Sequence, residues 1–146
     1  MASSWQTKQH SMLKTYHGSC HCGAVTFQAG LDLATGTGRC NCSYCRKARN
    51  WSARVMSAQF RALRGGLALG SYVCKDGAGI DHGFCVHCGV TLFARGNIAE
   101  MGGAFPSVMV AALDDAAEAE LLASPVTWSD GLHDAWWSAP AEVRHL

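Results

Sequence analysis

The chain has 146 residues, of which 49% are hydrophobic and 16% charged, and its formal net charge is +1. A chain of this length and composition is expected to form a single globular domain with a buried core. No run of like charges is longer than Arg46-Lys47, so the charge pattern predicts neither a nucleic-acid partner nor an anionic membrane surface. The sequence contains no apolar stretch of membrane-spanning length and no secretory signal, which predicts a cytoplasmic protein.

The N-terminal residues, 1 to about 15, show no hydrophobic periodicity and are predicted to be a loose leader to a single domain of residues 16–146. The first predicted strand surrounds Val25, Phe27 and Ala29, which alternate with polar residues as in a half-buried β-strand. The glycines that follow this strand indicate a turn.

Short elements are predicted for the middle of the chain. A single helical turn with Ser43 as its cap is expected in residues 43–48. Frequent glycines in residues 65–79 are typical of strands separated by turns. The candidate strands are residues 72–74, 82–84, 90–94 and 107–113, the last being the most continuous apolar run.

One short helix is predicted near the C-terminal end. Asp115 and Glu118 have the spacing of an acidic capping box, the residues up to Ala123 favour a helix, and Pro125 stops it. The chain from about residue 126 is predicted to be a tail. Because neither a βαβ alternation nor a glycine-rich phosphate loop is present, the elements predict a mainly β protein rather than a nucleotide-binding α/β domain.

All but one of the eight cysteines fall into three short clusters. The clusters are Cys20-His21-Cys22, Cys40-Asn41-Cys42-Ser43-Tyr44-Cys45 and Cys85-Val86-His87-Cys88. In a reducing cytosol such clusters predict metal ligands rather than disulfides, with zinc favoured and iron–sulfur ligation as the alternative. The remaining cysteine, Cys74, is predicted to be a buried apolar residue.

The number of clustered thiols suggests two metal sites of different kinds. Spacing alone admits several groupings, but residues 40–45 can wrap three sulfurs around one ion, which leaves the two outer pairs to close a second site. Four cysteines are typical of structural zinc, whereas three protein ligands with an open position are typical of catalytic zinc. We therefore expect two Zn²⁺ ions per chain, and a fourth protein ligand at the three-cysteine site, such as His82, would argue against catalysis.

Four ordered segments also carry a family resemblance, namely residues 18–25 (GSCHCGAV), 40–47 (CNCSYCRK), 84–93 (FCVHCGVTLF) and 113–115 (LDD). They resemble the motifs of the glutathione-dependent formaldehyde-activating enzyme family, also called the centromere protein V/GFA family, whose tail pattern is similar to residues 130–134. The resemblance implies the β-tent fold of antiparallel sheets. It also implies a structural zinc on Cys20, Cys22, Cys85 and Cys88 and a catalytic zinc on Cys40, Cys42 and Cys45.

The activity implied by the resemblance is that of a carbon–sulfur lyase, the addition of glutathione to formaldehyde. A thiol that takes the open position of a three-thiolate zinc would be deprotonated and could add to an aldehyde carbon to form a hemithioacetal. Arg46 and Lys47 follow the ligands and are candidates to pair with substrate carboxylates, as are Arg49 and Arg54. A solvated basic face is the alternative interpretation.

The tail is unusually rich in tryptophan, with Trp128, Trp136 and Trp137 around residues 130–134. Such residues bury large areas, so one hypothesis is a tail that covers an open side of the sheet. The other is a tail that also walls the catalytic pocket, with His133 as a proton carrier between thiol and aldehyde oxygen.

Two further classes of function stay open from the sequence. The protein could be a non-catalytic zinc-stabilised module that binds a protein partner, or a sulfur- or metal-handling factor without turnover. For the enzyme hypothesis the expected partners are a small-molecule thiol and an aldehyde, without nucleic acid or membrane, and self-association is left open.

Overall fold

The computed structural model describes residues 12–75 and 79–146 of the chain. These residues form ten β-strands and two short α-helices, so the prediction of a mainly β protein is confirmed. The strands are β1 (Lys14–Ser19), β2 (Thr26–Leu31), β3 (Thr37–Cys40), β4 (Trp51–Arg54), β5 (Phe60–Arg64), β6 (Leu69–Val73), β7 (Asp81–Cys85), β8 (Thr91–Ile98), β9 (Gly103–Met109) and β10 (Val126–Ser129). The helices are α1 (Ser43–Ala48) and α2 (Glu118–Ala123).

The strands form two sheets. Strands β1, β2 and β5 make a three-stranded sheet, and the other seven make a sheet in the order β10-β3-β4-β9-β8-β7-β6. Every pair of neighbouring strands is antiparallel except β10 and β3, which run parallel. Each helix has six residues, and among the described residues none has the length and hydropathy needed to span a membrane.

The core lies between the two sheets. Phe27 of the small sheet is fully buried and meets Phe93 of the large sheet edge-to-face, with ring centroids 6.0 Å apart. Val25 and Ala29 are buried beside it, which confirms the predicted alternation in β2. Truncation of a buried phenylalanine costs about 3–5 kcal/mol of stability, so this contact is a main support of the fold.

Strands β1 and β2 approach closely at Gly18. A Cβ atom at this position would lie 2.1 Å from the Phe27 ring, so only glycine fits. Gly18 also pairs with Leu113, which connects the small sheet to the segment that follows β9. The predicted buried strand of residues 107–113 is therefore only partly correct: β9 ends at Met109, and Val110–Ala112 form a buried 3-10 turn that leads to this bridge.

Strand β1 begins at Lys14, close to the predicted end of the leader, while residues 1–11 and part of the glycine-rich turn, residues 76–78, lie outside the described residues. The predicted start of the C-terminal helix is wrong, because Asp115 has a tertiary partner. Helix α2 begins at Glu118 rather than near Asp115, and Glu120 accepts a hydrogen bond from the Ala117 N–H at 2.8 Å. Asp115 instead accepts hydrogen bonds from the backbone N–H of His17 in β1 at 2.8 Å.

The predicted tail also contains a strand. Residues Val126–Ser129 form β10, which pairs in parallel with β3 and places Ser129 opposite Cys40. The chain after β10 therefore starts beside one of the cysteine clusters rather than at the far end of the molecule.

Candidate metal centres

The two outer cysteine pairs meet in one cluster. Cys20 and Cys22 precede β2, Cys85 ends β7, and Cys88 follows on the next turn, and the four Sγ atoms lie within 4.8 Å of one another. The Sγ atom of Cys22 lies 3.6 Å from the Sγ atom of Cys20 and 3.6 Å from that of Cys85. Because Zn–S bonds are about 2.3 Å long, a tetrahedral ZnS₄ site has S–S edges of about 3.8 Å. The four-thiol cluster therefore has the composition and size of a tetrahedral soft-metal site.

Backbone geometry supports thiolates in this cluster. The Val25 N–H donates to Cys20 Sγ at 3.3 Å. Hydrogen bonding from the Val90 backbone, followed by that from Cys22, lowers the pKa of Cys88 to about 6. The turn between Cys85 and Val90 needs a positive φ of 76° at Gly89, which glycine adopts without strain. Cys22 shifts the other way: although a backbone hydrogen bond from Ala24 opposes the change, burial and hydrogen bonds with the neighbouring thiols raise its pKa to about 11. A thiolate is the form that binds metal, so the backbone contacts prepare Cys20 and Cys88 for an ion.

The other cluster is formed by one short segment. Cys40 ends β3, Cys42 precedes α1 and Cys45 lies within it, and their Sγ atoms lie within 4.8 Å of one another. The helix cap is Cys42 rather than the predicted Ser43, because Cys42 Sγ accepts the N–H of Cys45 at 3.4 Å. Hydrogen bonds from the thiols of Cys40 and Cys45 lower the pKa of Cys42, so one thiolate is already favoured there.

Within residues 12–75 and 79–146, the three-thiol cluster is not joined by a fourth His, Cys, Asp or Glu at ligand distance. Among the described residues, no His, Asp or Glu atom joins the three sulfurs in a group within 4.8 Å. His82 is 6% exposed, and its Nδ1 has no hydrogen-bond partner among the described residues. Its ring stacks on Tyr44 with centroids 3.9 Å apart, and burial lowers its pKa. His82 therefore lies beside α1 as a neutral ring rather than as a fourth member of the cluster.

A groove of about 640 Å³ opens between α1 and the end of β6, and its lining includes Ser43 and Tyr44, which lie between Cys42 and Cys45 in the sequence. One wall carries Tyr44, whose ring is stacked with that of Tyr72 at 6.0 Å. Lys47 and Lys75 also line the groove. Lys75 was not predicted from the sequence, because it follows β6 and is distant in sequence from the cysteine segment. The predicted core residue Cys74 is half-buried and lines the groove too, so its assignment to the core is wrong.

The other predicted basic residues are placed differently. Arg46 lies in the last turn of α1 and does not line the groove. Arg49 donates to the His145 carbonyl at 2.7 Å. Arg54 donates to the Met101 carbonyl and lies over the Phe105 ring at 4.9 Å, away from both thiol clusters.

The C-terminal tail approaches the three-thiol cluster through Asn41. The Asn41 side chain donates to Asp130 Oδ1 at 2.7 Å and accepts from the Leu132 N–H at 2.9 Å. His133 Nδ1 lies 2.9 Å from the Asp130 carboxylate, and hydrogen bonds first from Asn41 and then from His133 lower the Asp130 pKa. Asn41 had no predicted role. Its position between two ligands was the available signal, because such a residue must share their rigid loop.

The tail tryptophans differ in their surroundings. Trp128 of β10 lies 6.0 Å from the Arg39 guanidinium. The Trp136 ring packs against Gly131, and its Nε1 donates to Asp134 at 2.6 Å. Trp137 is 78% exposed. The tail therefore places Gly131 next to Cys40, with one partly exposed indole packed on that glycine and another indole in solvent.

Comparisons with known proteins identify the family of this chain. The crystal structure of a Rhodobacter sphaeroides protein from structural genomics is similar to this chain at 29% identity, with a TM-score of 0.60. The similarity covers 76% of this chain and 99% of that one. The family described as glutathione-dependent formaldehyde-activating enzyme matches residues 15–129, a range that contains all the clustered cysteines. The chain belongs to the glutathione-dependent formaldehyde-activating enzyme family.

Proposed function

We propose that this protein is a zinc-dependent enzyme of the carbon–sulfur lyase type, which adds a thiol such as glutathione to a small aldehyde or reverses that addition. The observation that carries the proposal is the three-thiol cluster, which no further His, Cys, Asp or Glu of the described residues joins within 4.8 Å, and whose helix α1 also lines an open groove. Family membership supports the same class of reaction.

Zinc is the proposed metal at both clusters, because thiol-only donor sets of this size suit a tetrahedral soft ion. The four-thiol cluster, tied to the core at Cys20 and Cys85, would hold a structural ion. Bound to Cys40, Cys42 and Cys45, a zinc ion would supply Lewis acidity that lowers the pKa of a substrate thiol. The sulfur-rich donor sets also favour a reducing compartment such as the cytoplasm.

The groove would hold the body of the substrate. The Tyr44 and Tyr72 rings give it an apolar wall, and Lys47 and Lys75 place two ammonium groups at it. A ligand with a carboxylate and a short apolar portion fits these groups, since a fixed ammonium pairs well with a carboxylate. Lys47 is therefore a proposed substrate-binding residue, and Arg46 on the same helix would contribute positive charge nearby.

His133 is the proposed proton carrier. Its side chain is 71% exposed, and its Nδ1 is held by the Asp130 carboxylate at 2.9 Å. An Asp–His pair of this kind orients the imidazole so that the other ring nitrogen can exchange a proton. In the addition direction that nitrogen would donate to the aldehyde oxygen while the C–S bond forms, and in the reverse direction it would take the proton back.

A screen of aldehydes with glutathione tests the proposal. Exchange NMR measures the rate at which free aldehyde and hemithioacetal interconvert, with and without metal-loaded protein. The wild type should accelerate the interconversion for at least one aldehyde, and the Cys42→Ser variant should return it to the uncatalysed rate. Equal rates for the wild type and Cys42→Ser across the screen would refute the enzyme proposal and favour a non-catalytic zinc module.

A further inference from the structure

Asn41, which lies between Cys40 and Cys42, is hydrogen-bonded to the tail through both the nitrogen and the oxygen of its side-chain amide. Asn41 is only 6% exposed, its Nδ2 donates to Asp130, and its Oδ1 accepts from the Leu132 N–H. The Asn41 backbone N–H also donates to the Ser129 carbonyl at 3.2 Å. A buried amide that loses its partners costs about 1–3 kcal/mol, so this side chain favours a docked tail.

The docked tail reaches a ligand sulfur. A Cβ atom built on Gly131 would lie 2.8 Å from Cys40 Sγ and 2.6 Å from the Trp136 ring. The thiol and the indole thus both contact the side of Gly131 where a Cβ would point, and they leave no room for a methyl group. Further along, the His145 carbonyl accepts from Arg49 at the end of α1, so the tail is held on both sides of the three-thiol segment.

We infer that Asn41 is a positioning residue that holds residues 130–136 as a wall against Cys40, and that this wall controls access to the three thiols and retention of the metal they bind. The inference rests on the metal-binding part of the proposed function, not on the lyase reaction. It makes the tail part of the site, although the family match ends at residue 129.

Gly131→Ala displaces the wall without changing a ligand or a hydrogen-bonding group. Gly131 does not have a positive φ, so alanine differs there only through its Cβ. The matched control is Gly38→Ala in β3, because a Cβ at Gly38 meets nothing closer than 3.9 Å. Two rates are measured: alkylation of Cys40 by iodoacetamide in metal-free protein, followed by mass spectrometry, and release of the labile zinc to a chelator.

Both rates should rise about tenfold in Gly131→Ala, which is the size of effect seen when a group that supports a metal ligand is lost. Both should stay at the wild-type value in Gly38→Ala. Equal rates in wild type, Gly131→Ala and Gly38→Ala would overturn the inference. If the wild type binds no zinc at the three thiols, the proposed function and the role in metal retention both fail, whereas the alkylation rates still decide whether the wall controls access to Cys40.

Exchange of the side chains of Asn41 and Asp130 tests the role of Asn41 itself. Asn41→Asp places two carboxylates at a contact of 2.7 Å and should release the tail, read as faster proteolysis after residue 129 and faster alkylation of Cys40. The double variant Asn41→Asp, Asp130→Asn restores one donor and one acceptor to the pair. It should recover most of the wild-type protection, and a double variant as exposed as Asn41→Asp would overturn the positioning role.

Discussion

Loss of a ligand is expected to have different consequences at the two thiol clusters. The four-thiol cluster joins distant parts of the chain, since Cys22 and Cys85 are 63 residues apart. The three-thiol cluster closes only a local loop within residues 40–45. In the loop-entropy treatment of cross-links, a metal that joins Cys22 to Cys85 destabilises the unfolded chain by about 4 kcal/mol, whereas a metal that joins Cys40 to Cys45 destabilises it by about 2 kcal/mol. A small domain has only about 5–15 kcal/mol of stability, so loss of the cross-link at the four-thiol cluster is severe.

We therefore expect Cys20→Ser to unfold or aggregate, because Cys20 is also 2% exposed and part of the core. Cys42→Ser should remain folded and lose one zinc ion. Elemental analysis of purified protein and thermal melts measure the two effects. Cys74→Ser is the matched control, since it removes a thiol outside both clusters and should keep both ions and the wild-type melting temperature.

Equal lowering of the melting temperature by Cys20→Ser and Cys42→Ser would refute the different structural roles of the two clusters. A folded Cys20→Ser protein that retains two zinc ions would refute them as well, because the four-thiol cluster would then not hold the sheets together.

The remaining predictions concern the metal content, the tail and the acid stability. Wild-type protein should contain two zinc ions per chain by elemental analysis, one released to a chelator much faster than the other, and iron in their place would contradict this. His133→Ala should lower turnover on the order of 10²-fold with zinc content and melting temperature unchanged, whereas His145→Ala should not; unchanged turnover would remove His133 from the mechanism. Hydrogen bonds from the Ala117 N–H, Tyr16 and Lys14 lower the Glu120 pKa from 4.5 to about 2. Because this folded-state pKa is depressed, the stabilisation is present above pH 4.5 and is lost as pH falls towards 2. Urea unfolding should show Glu120→Gln less stable than wild type at neutral pH, with most of this difference gone at pH 2, where about half of Glu120 is protonated in the folded state. Glu118→Gln is the control, and a difference independent of pH would contradict the assignment.

The parts of the fold that could be predicted carry their signal in the local sequence. The alternation around Phe27 identified β2, and the cysteine spacing identified the two groups of thiols that the fold brings together. Both signals are local because a strand face repeats every second residue and a metal segment wraps one ion.

The parts that could not be predicted depend on partners distant in sequence. Strand β10 is short and largely exposed, and its pairing with β3 supplies the hydrogen bonds that define it. Asp115 was assigned to a helix cap by spacing, but His17 of β1 takes its carboxylate. Lys75 reaches the groove only because β6 places it opposite α1.

The three-thiol cluster thus combines two kinds of structure. Its ligands come from one rigid segment, so the donor geometry depends little on the rest of the chain. Its surroundings come from distant elements: Tyr72 and Lys75 line the groove beside α1, and Gly131, in contact with Trp136, lies next to Cys40. These elements, rather than the cysteine segment, therefore determine the shape of the space around the three sulfurs.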